Sequence, residues 1–257
     1  MYNAPMKNHR PSMLPALFLF MLFAVPATGS ERSVPLVESE SPHSILFTGN
    51  SFTFYNNAIY THMRKLLMAE DPASRQRIFL KSMTISGAVL GDHRGGLEQM
   101  LNSREWDVVV LQGHSREAID PDLTPKFHAS LNEFSAAIRQ NGAQPVLFMT
   151  WAYADRPELI VELEPAFKKL GKDMNIPVVP VGSAFAEATR QIPGVMLHDE
   201  DKIHPSLAGT YLAAAVFYSA LYGKSPAALE YSAGLDQELA GKLRKIAWQS
   251  VQAFDVR

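Results

Sequence analysis

From residue 44 onward, short apolar runs alternate with longer segments in which apolar residues recur every three or four positions. The short runs are Ile45-Leu46-Phe47-Thr48, Ile78-Phe79-Leu80-Lys81-Ser82-Met83, Trp106-Asp107-Val108-Val109-Val110-Leu111, Pro145-Val146-Leu147-Phe148-Met149 and Ile176-Pro177-Val178-Val179-Pro180-Val181. Runs of four to six such residues predict five buried strands, and the longer periodic segments predict helices. Helices are expected near residues 58–70, 97–102, 124–140, 159–174 and 183–190, with two more, 206–221 and 236–254, after the last strand. Pro205 suits the first turn of the former. Strands and helices in this alternation build a parallel sheet through crossover connections. The expected fold is therefore α/β: a three-layer α/β/α, flavodoxin-like sandwich around a five-stranded parallel sheet. Ligands of such sheets bind beyond the carboxyl ends of the strands, so the polar residues just after each strand carry the functional question.

The first thirty residues follow another pattern. Lys7 and Arg10 precede an apolar run from Met13 to Val25, followed by Pro26-Ala27-Thr28-Gly29-Ser30. A basic start, about a dozen apolar residues and small residues at the exit describe a secretory signal peptide, whereas a spanning helix needs about 18 or more. The expected organisation is a signal peptide over 1–29, a polar linker over 30–43 and one catalytic domain over 44–257. The mature protein is expected to be secreted or periplasmic, without stable membrane insertion.

Composition narrows the partners. The chain of 257 residues is 47% apolar and 19% charged, with a formal net charge of -2. Loss of residues 1–29 removes Lys7 and Arg10 and no acid, which takes the charge to -4. Such a surface offers no basic field for nucleic acid, so a neutral or modestly charged small substrate fits better. The absence of cysteine excludes a thiol nucleophile and thiolate metal sites, and leaves stability to the core.

Two constellations carry chemistry. The first strand runs into Thr48-Gly49-Asn50-Ser51-Phe52-Thr53, which puts the Ser51 hydroxyl at the sheet edge where the chain turns toward a helix. A serine hydroxyl is a weak nucleophile until a base takes its proton. Gly, Asn and Ser are also ordinary turn and cap residues, so this feature alone also fits a plain turn. Near the other end stands Asp201-Lys202-Ile203-His204-Pro205-Ser206. Two intervening residues let the Asp201 carboxylate fold back onto Nδ1 of His204 and leave Nε2 as base. Read alone, it is equally a solvated acidic loop before a helix.

Taken together, these segments resemble the SGNH/GDSL hydrolase family over roughly residues 44–222. Gly49-Asn50-Ser51 matches the first family block, and Asp201-x-x-His204 with its following proline matches the last. The resemblance implies a Ser51-His204-Asp201 triad that needs no cofactor and no metal. The second block implies an oxyanion-hole N–H, matched by Gly87 in Thr84-Ile85-Ser86-Gly87-Ala88; by itself Gly87 is equally a turn glycine. The third block departs from the family's Gly-x-Asn-Asp. Gln112-Gly113-His114-Ser115 instead resembles the Gln-Gly-x-Ser form of carbohydrate O-acetylesterases. Ser51 N–H, Gly87 N–H and the Gln112 amide are the oxyanion donors so implied, with Ser115 as the substitute for Gln112.

His114, Ser115 and Trp151 are candidate substrate contacts; His114 also fits a solvated strand-end histidine, and Trp151 and Tyr153, after the fourth strand, could equally cap the core. Phe52, Phe54 and Tyr55 read as packing groups. Three rival readings stay open. Gly113-His114-Ser115 looks like a nucleophile elbow, although Glu117 stands where that motif needs glycine. His198, Asp199, Asp201 and His204 could be metal ligands. The chain could also be a non-catalytic carbohydrate-binding relative. The implied activity is hydrolysis of a short-chain, acetyl-type ester, or acyl transfer through the same acyl-enzyme.

Overall fold

In the computed structural model, residues 41–254 are described, together with Met1, Tyr2 and Val37. Contacts divide the chain into Met1–Glu31 and Arg32–Arg257, and the sheet and its helices all belong to the second unit. The expected signal peptide and most of the expected linker lie outside the described residues.

Five parallel strands form one sheet: β1 (Ser44–Gly49), β2 (Phe79–Thr84), β3 (Val108–Leu111), β4 (Gln144–Phe148) and β5 (Val178–Val179), in the order β2-β1-β3-β4-β5. Register pairs Ile45 with Leu80 on one side and Val108 on the other. Because side chains alternate along a strand, each strand feeds two cores. Ile45, Phe47, Val108, Val110, Val146 and Phe148 enter one; Leu46, Val109, Leu111, Leu147 and Val178 enter the other.

Nine helices connect and cover the described strands: α1 (Ser51–Phe54), α2 (Ile59–Glu70), α3 (Ser74–Arg77), α4 (Arg94–Ser103), α5 (Thr124–Gln140), α6 (Ile160–Met174), α7 (Val181–Gln191), α8 (Leu207–Tyr222) and α9 (Gln237–Ala253). Apolar faces of α2, α7, α8 and α9 close the first core, and those of α4, α5 and α6 close the second, giving three layers. Every residue of α8 from Ala208 to Tyr222 is buried, as expected of a helix apolar on all sides. No described helix is long and apolar enough to cross a membrane.

Element edges differ from expectation where proline or glycine intervenes. The fifth strand shrinks to two residues because Pro177 and Pro180, lacking N–H groups, bracket Val178 and Val179, and Pro180 becomes the N-cap of α7. The helix expected over 97–102 begins earlier, at Arg94, on a 3₁₀ turn over Leu90–His93. Packing also extends upstream of the expected domain start: Val37 is buried, and Tyr222 Oη donates to Pro42 O at 2.8 Å.

The connection from β1 leads outward to β2, while β3 lies on β1's other side. This reversal opens a crevice at the carboxyl ends of β1 and β3, the ligand-binding position of open α/β sheets. Ser51 follows β1 and Gln112 follows β3 directly.

Candidate active site

Ser51 is the first residue of α1, and Asn50 caps it: Asn50 Oδ1 accepts from Phe52 N at 3.1 Å. The strand can turn this sharply because position 49 has no side chain. A Cβ there would sit 2.3 Å from Gln112 Oε1 and 2.6 Å from Thr53 Oγ1.

The loop before α8 brings the other two members. His204 Nε2 lies 2.8 Å from Ser51 Oγ, and Nδ1 is bonded to Asp201 Oδ2. The second carboxylate oxygen accepts from Ile203 N and His204 N, each at 2.9 Å, so Asp201 is braced by the loop it orients. Burial works against its ionisation, but the imidazole and these two N–H groups outweigh that and hold the Asp201 carboxyl at about 2. The ionised carboxylate selects the Nδ1–H tautomer, which leaves Nε2 to accept the Ser51 proton.

Aromatic side chains fix this loop. Tyr55 stacks on the His204 ring with centroids 4.3 Å apart, and Phe52 meets it edge-on at 5.9 Å. Phe52, Trp151 and Phe185 form a continuous stack at 4.2 and 4.4 Å. Trp151 Nε1 donates to Ile203 O at 3.1 Å.

Two expectations need correction. Gln112, expected as an oxyanion donor, is fully buried, and its Nε2 donates to Asn50 Oδ1 (2.8 Å) and Gly113 O (2.5 Å). Its Oε1 accepts from Asn50 N (3.0 Å) and Thr53 Oγ1 (2.8 Å), which fixes the amide's orientation. Both donors are thus spent within the turn that leads to Ser51. Trp151, expected as a substrate contact, is 1% exposed and belongs to the core stack.

Ser115 is buried as well, with Oγ 2.7 Å from Tyr153 Oη and its carbonyl accepting from Thr150 Oγ1. The His204 imidazole is bonded to Ser51, not Ser115, which speaks against the elbow reading. His114 is half-buried; burial, reinforced by Arg116 and opposed by Asp120, pushes its imidazole toward the neutral form. Gly87 takes a left-handed turn (φ 69°) and is exposed. Asn50 Nδ2 donates to the neighbouring Ala88 O at 3.0 Å, tying that turn to the start of α1. Neither Ser51 N–H nor Gly87 N–H donates to another described residue.

The four candidate metal ligands do not converge. His198 Nε2 lies 2.9 Å from Ala152 O, and both His204 nitrogens are engaged by Asp201 and Ser51. Among the described residues, no group of three or more His, Asp or Glu is arranged to hold a metal ion.

Sequence reasoning missed several supports. Asn50 links all three loops, and its preference for N-cap positions was the available signal. Glu117 is buried and accepts from Leu90 N (3.1 Å) and His114 N (2.7 Å), joining the second and third loops. His93, also buried, has Nε2 2.8 Å from Gly49 O. Tyr55, read as a packing group, does pack, and its partner is the His204 ring.

No protein-family model and no curated protein matches the chain. Solved structures do. A DUF4886 family protein from Bacteroides uniformis superposes with a TM-score of 0.70 at 21% identity, over 82% of this chain and 95% of its own. A protein from Slackia heliotrinireducens, provisionally assigned to the SGNH hydrolases, gives 0.55 at 29% identity, over 70% and 99%. An acetyl xylan esterase from Geobacillus stearothermophilus gives 0.56 at 18% identity, over 70% and 94%. The fold is thus shared with structures described as an SGNH hydrolase and as acetyl xylan esterases, in line with the resemblance carried by Gly49-Asn50-Ser51 and Asp201-x-x-His204.

Proposed function

We propose that the protein is an exported serine esterase that removes short acyl groups, acetyl foremost, from a carbohydrate. The observation that carries this reading is the 2.8 Å contact between His204 Nε2 and Ser51 Oγ, with Asp201 behind the imidazole. Export follows from the basic-apolar-small order of residues 1–30. The carbohydrate ester is supported by the Gln112-Gly113-His114-Ser115 segment and by likeness of fold to acetyl xylan esterases.

The reaction runs in two halves. Ser51 Oγ bonds to the ester carbonyl carbon as its proton passes to His204 Nε2, and the carbonyl oxygen becomes an oxyanion. Ser51 N–H and Gly87 N–H are the donors left to stabilise it. The C–O bond to the alcohol then breaks, the alcohol leaves with the proton from Nε2, and an acyl-Ser51 ester remains. Water, deprotonated by His204, attacks that ester; the carboxylic acid departs and the proton returns to Ser51.

The test is labelling by a fluorophosphonate probe together with turnover of p-nitrophenyl acetate and acetylated xylan. Wild type should label and turn over, Ser115→Ala should do both, and Ser51→Ala and His204→Ala should do neither. Labelling and turnover retained by Ser51→Ala would refute the assignment. Turnover of p-nitrophenyl acetate without release of acetate from acetylated xylan would remove that polymer as a substrate.

A further inference from the structure

Between α1 and α2 the backbone holds three consecutive residues with positive φ, none of them glycine: Asn56 (φ 49°, ψ 47°), Asn57 (φ 71°) and Ala58 (φ 66°, ψ 142°). L residues adopt this region at a cost, and Ala58 lacks even the local hydrogen bonding that helps asparagine there. Such a run persists only where its surroundings impose it, and backbone strain of this kind clusters at functional sites.

The imposing contacts are on both sides of Asn56. Its carbonyl oxygen lies 2.7 Å from His62 Nε2, and a carbonyl only accepts, so Nε2 carries the proton. His62 Nδ1 is then the acceptor for Tyr231 Oη at 2.8 Å. Tyr231's own carbonyl is held by Arg244 Nη1 at 3.0 Å and by Tyr211 Oη, anchoring the series in α8 and α9. His62 is buried, and burial keeps its imidazole neutral, the state this arrangement needs.

On the other side, Asn56 Nδ2 donates to Pro205 O at 2.7 Å and to Thr210 Oγ1 at 3.0 Å. Pro205 directly follows His204, and Thr210 lies in the first turn of α8. A flipped amide would set two carbonyl oxygens against each other, so chemistry fixes the orientation. One side chain thus joins the segment leaving the nucleophile helix to the loop that carries the base, beside the Tyr55 ring stacked on the imidazole.

We infer that Asn56 is a positioning residue that sets the distance between Ser51 and His204 through Pro205 O and Thr210 Oγ1, with the strained run 56–58 presenting its amide. The inference rests on the serine-esterase reading above. Asn56 touches neither Ser51 nor His204, so its loss should let the base drift and slow the chemical step without altering the site that receives the acyl group. Displacements of this kind cost up to about 100-fold in rate.

The experiment compares kcat, KM and thermal midpoint for Asn56→Gly, Asn56→Asp and Thr210→Val on p-nitrophenyl acetate. Glycine keeps the left-handed backbone and removes both donors; aspartate keeps the shape and places a carboxylate oxygen against Pro205 O. Both should lower kcat about 10- to 100-fold with KM unchanged, and Thr210→Val, losing one acceptor, should give a smaller drop of the same kind. A folded Asn56→Gly with wild-type kcat, or with raised KM and unchanged kcat, overturns the inference. Should the Asn56 variants fail to fold, wild-type kcat in Thr210→Val overturns it equally. Wild type active, Ser51→Ala inert and Asn56→Gly unimpaired would sink this inference alone, whereas an inert wild type would sink the esterase reading with it.

Discussion

Gln112 and Asn50 hold each other reciprocally: Gln112 Nε2 donates to Asn50 Oδ1 at 2.8 Å, and Asn50 N donates to Gln112 Oε1 at 3.0 Å. The same Asn50 oxygen caps α1 at Phe52 N, so the pair joins the end of β3 to the first turn of the helix that carries Ser51. The third block therefore works from below, by fixing where Ser51 stands.

This arrangement separates two kinds of variant. Gln112→Leu would leave Asn50 N–H and Thr53 Oγ1 buried without their partner and Asn50 Oδ1 with Phe52 N alone, and groups so stranded cost about 1–3 kcal/mol each, less than additively. The expected result is a loss of about 2–4 kcal/mol in urea unfolding, with kcat falling in step. A large fall in kcat at unchanged stability would instead mean that the amide serves the oxyanion.

The two glycines of the site should respond oppositely. Gly49→Ala forces a Cβ to within 2.3 Å of Gln112 Oε1, a side chain locked by four hydrogen bonds, and overpacking of this kind costs about 1–3 kcal/mol. At Gly87 nothing lies within 4 Å of the added carbon, and the penalty is the left-handed φ alone, about 1–2 kcal/mol. Since alanine keeps the N–H, Gly87→Ala should still label with fluorophosphonate, whereas Gly49→Ala should be impaired in both stability and labelling. Equal labelling by the two would contradict the packing argument.

Trp151 offers a sharper contrast with expectation. It is sandwiched between Phe52 and Phe185 and supports the loop that carries Asp201 and His204 through Ile203 O. Trp151→Ala should cost about 3–5 kcal/mol and lower kcat, since the loop loses a support, while KM for a carbohydrate ester stays near wild type. A selective rise in KM with stability preserved would restore the stacking-on-sugar role.

How much of the fold and site can be read from residues alone depends on whether the cause is local. All five strands are legible because short apolar runs announce themselves, and Ser51, Asp201 and His204 because Gly-Asn-Ser and Asp-x-x-His are short local patterns. The truncation of β5 is also written in Pro177 and Pro180, though the run of valines masks it. What stays hidden depends on pairs far apart in sequence. The spending of the Gln112 amide requires knowing that Asn50, 62 residues earlier, lies beneath it. The tie from Asn56 to Pro205 spans 149 residues, and nothing in Tyr55-Asn56-Asn57-Ala58 signals three positive φ angles in a row. Tyr55 escapes for the same reason, since its partner His204 arrives from the far end of the domain.

Glu117 gives the site a pH signature separate from catalysis. Burial raises its carboxyl above the ordinary value of 4.5, and the N–H groups of His114 and Leu90 oppose the shift without cancelling it. For an acid whose folded pKa lies above its unfolded value, the folded chain holds a proton that the unfolded chain has released throughout the intervening window. Stability therefore declines as pH rises from about 4.5 to that raised value, and is level beyond it. Glu117→Gln keeps an oxygen acceptor for His114 N and Leu90 N and has no proton to lose, so it should lack this decline. Urea midpoints of the two proteins from about pH 4 to about pH 8 should show the wild type's advantage shrinking as pH rises. A widening advantage would mean that the paired N–H groups, not burial, govern Glu117, and that the loops bearing Leu90 and His114 are held by a full carboxylate charge.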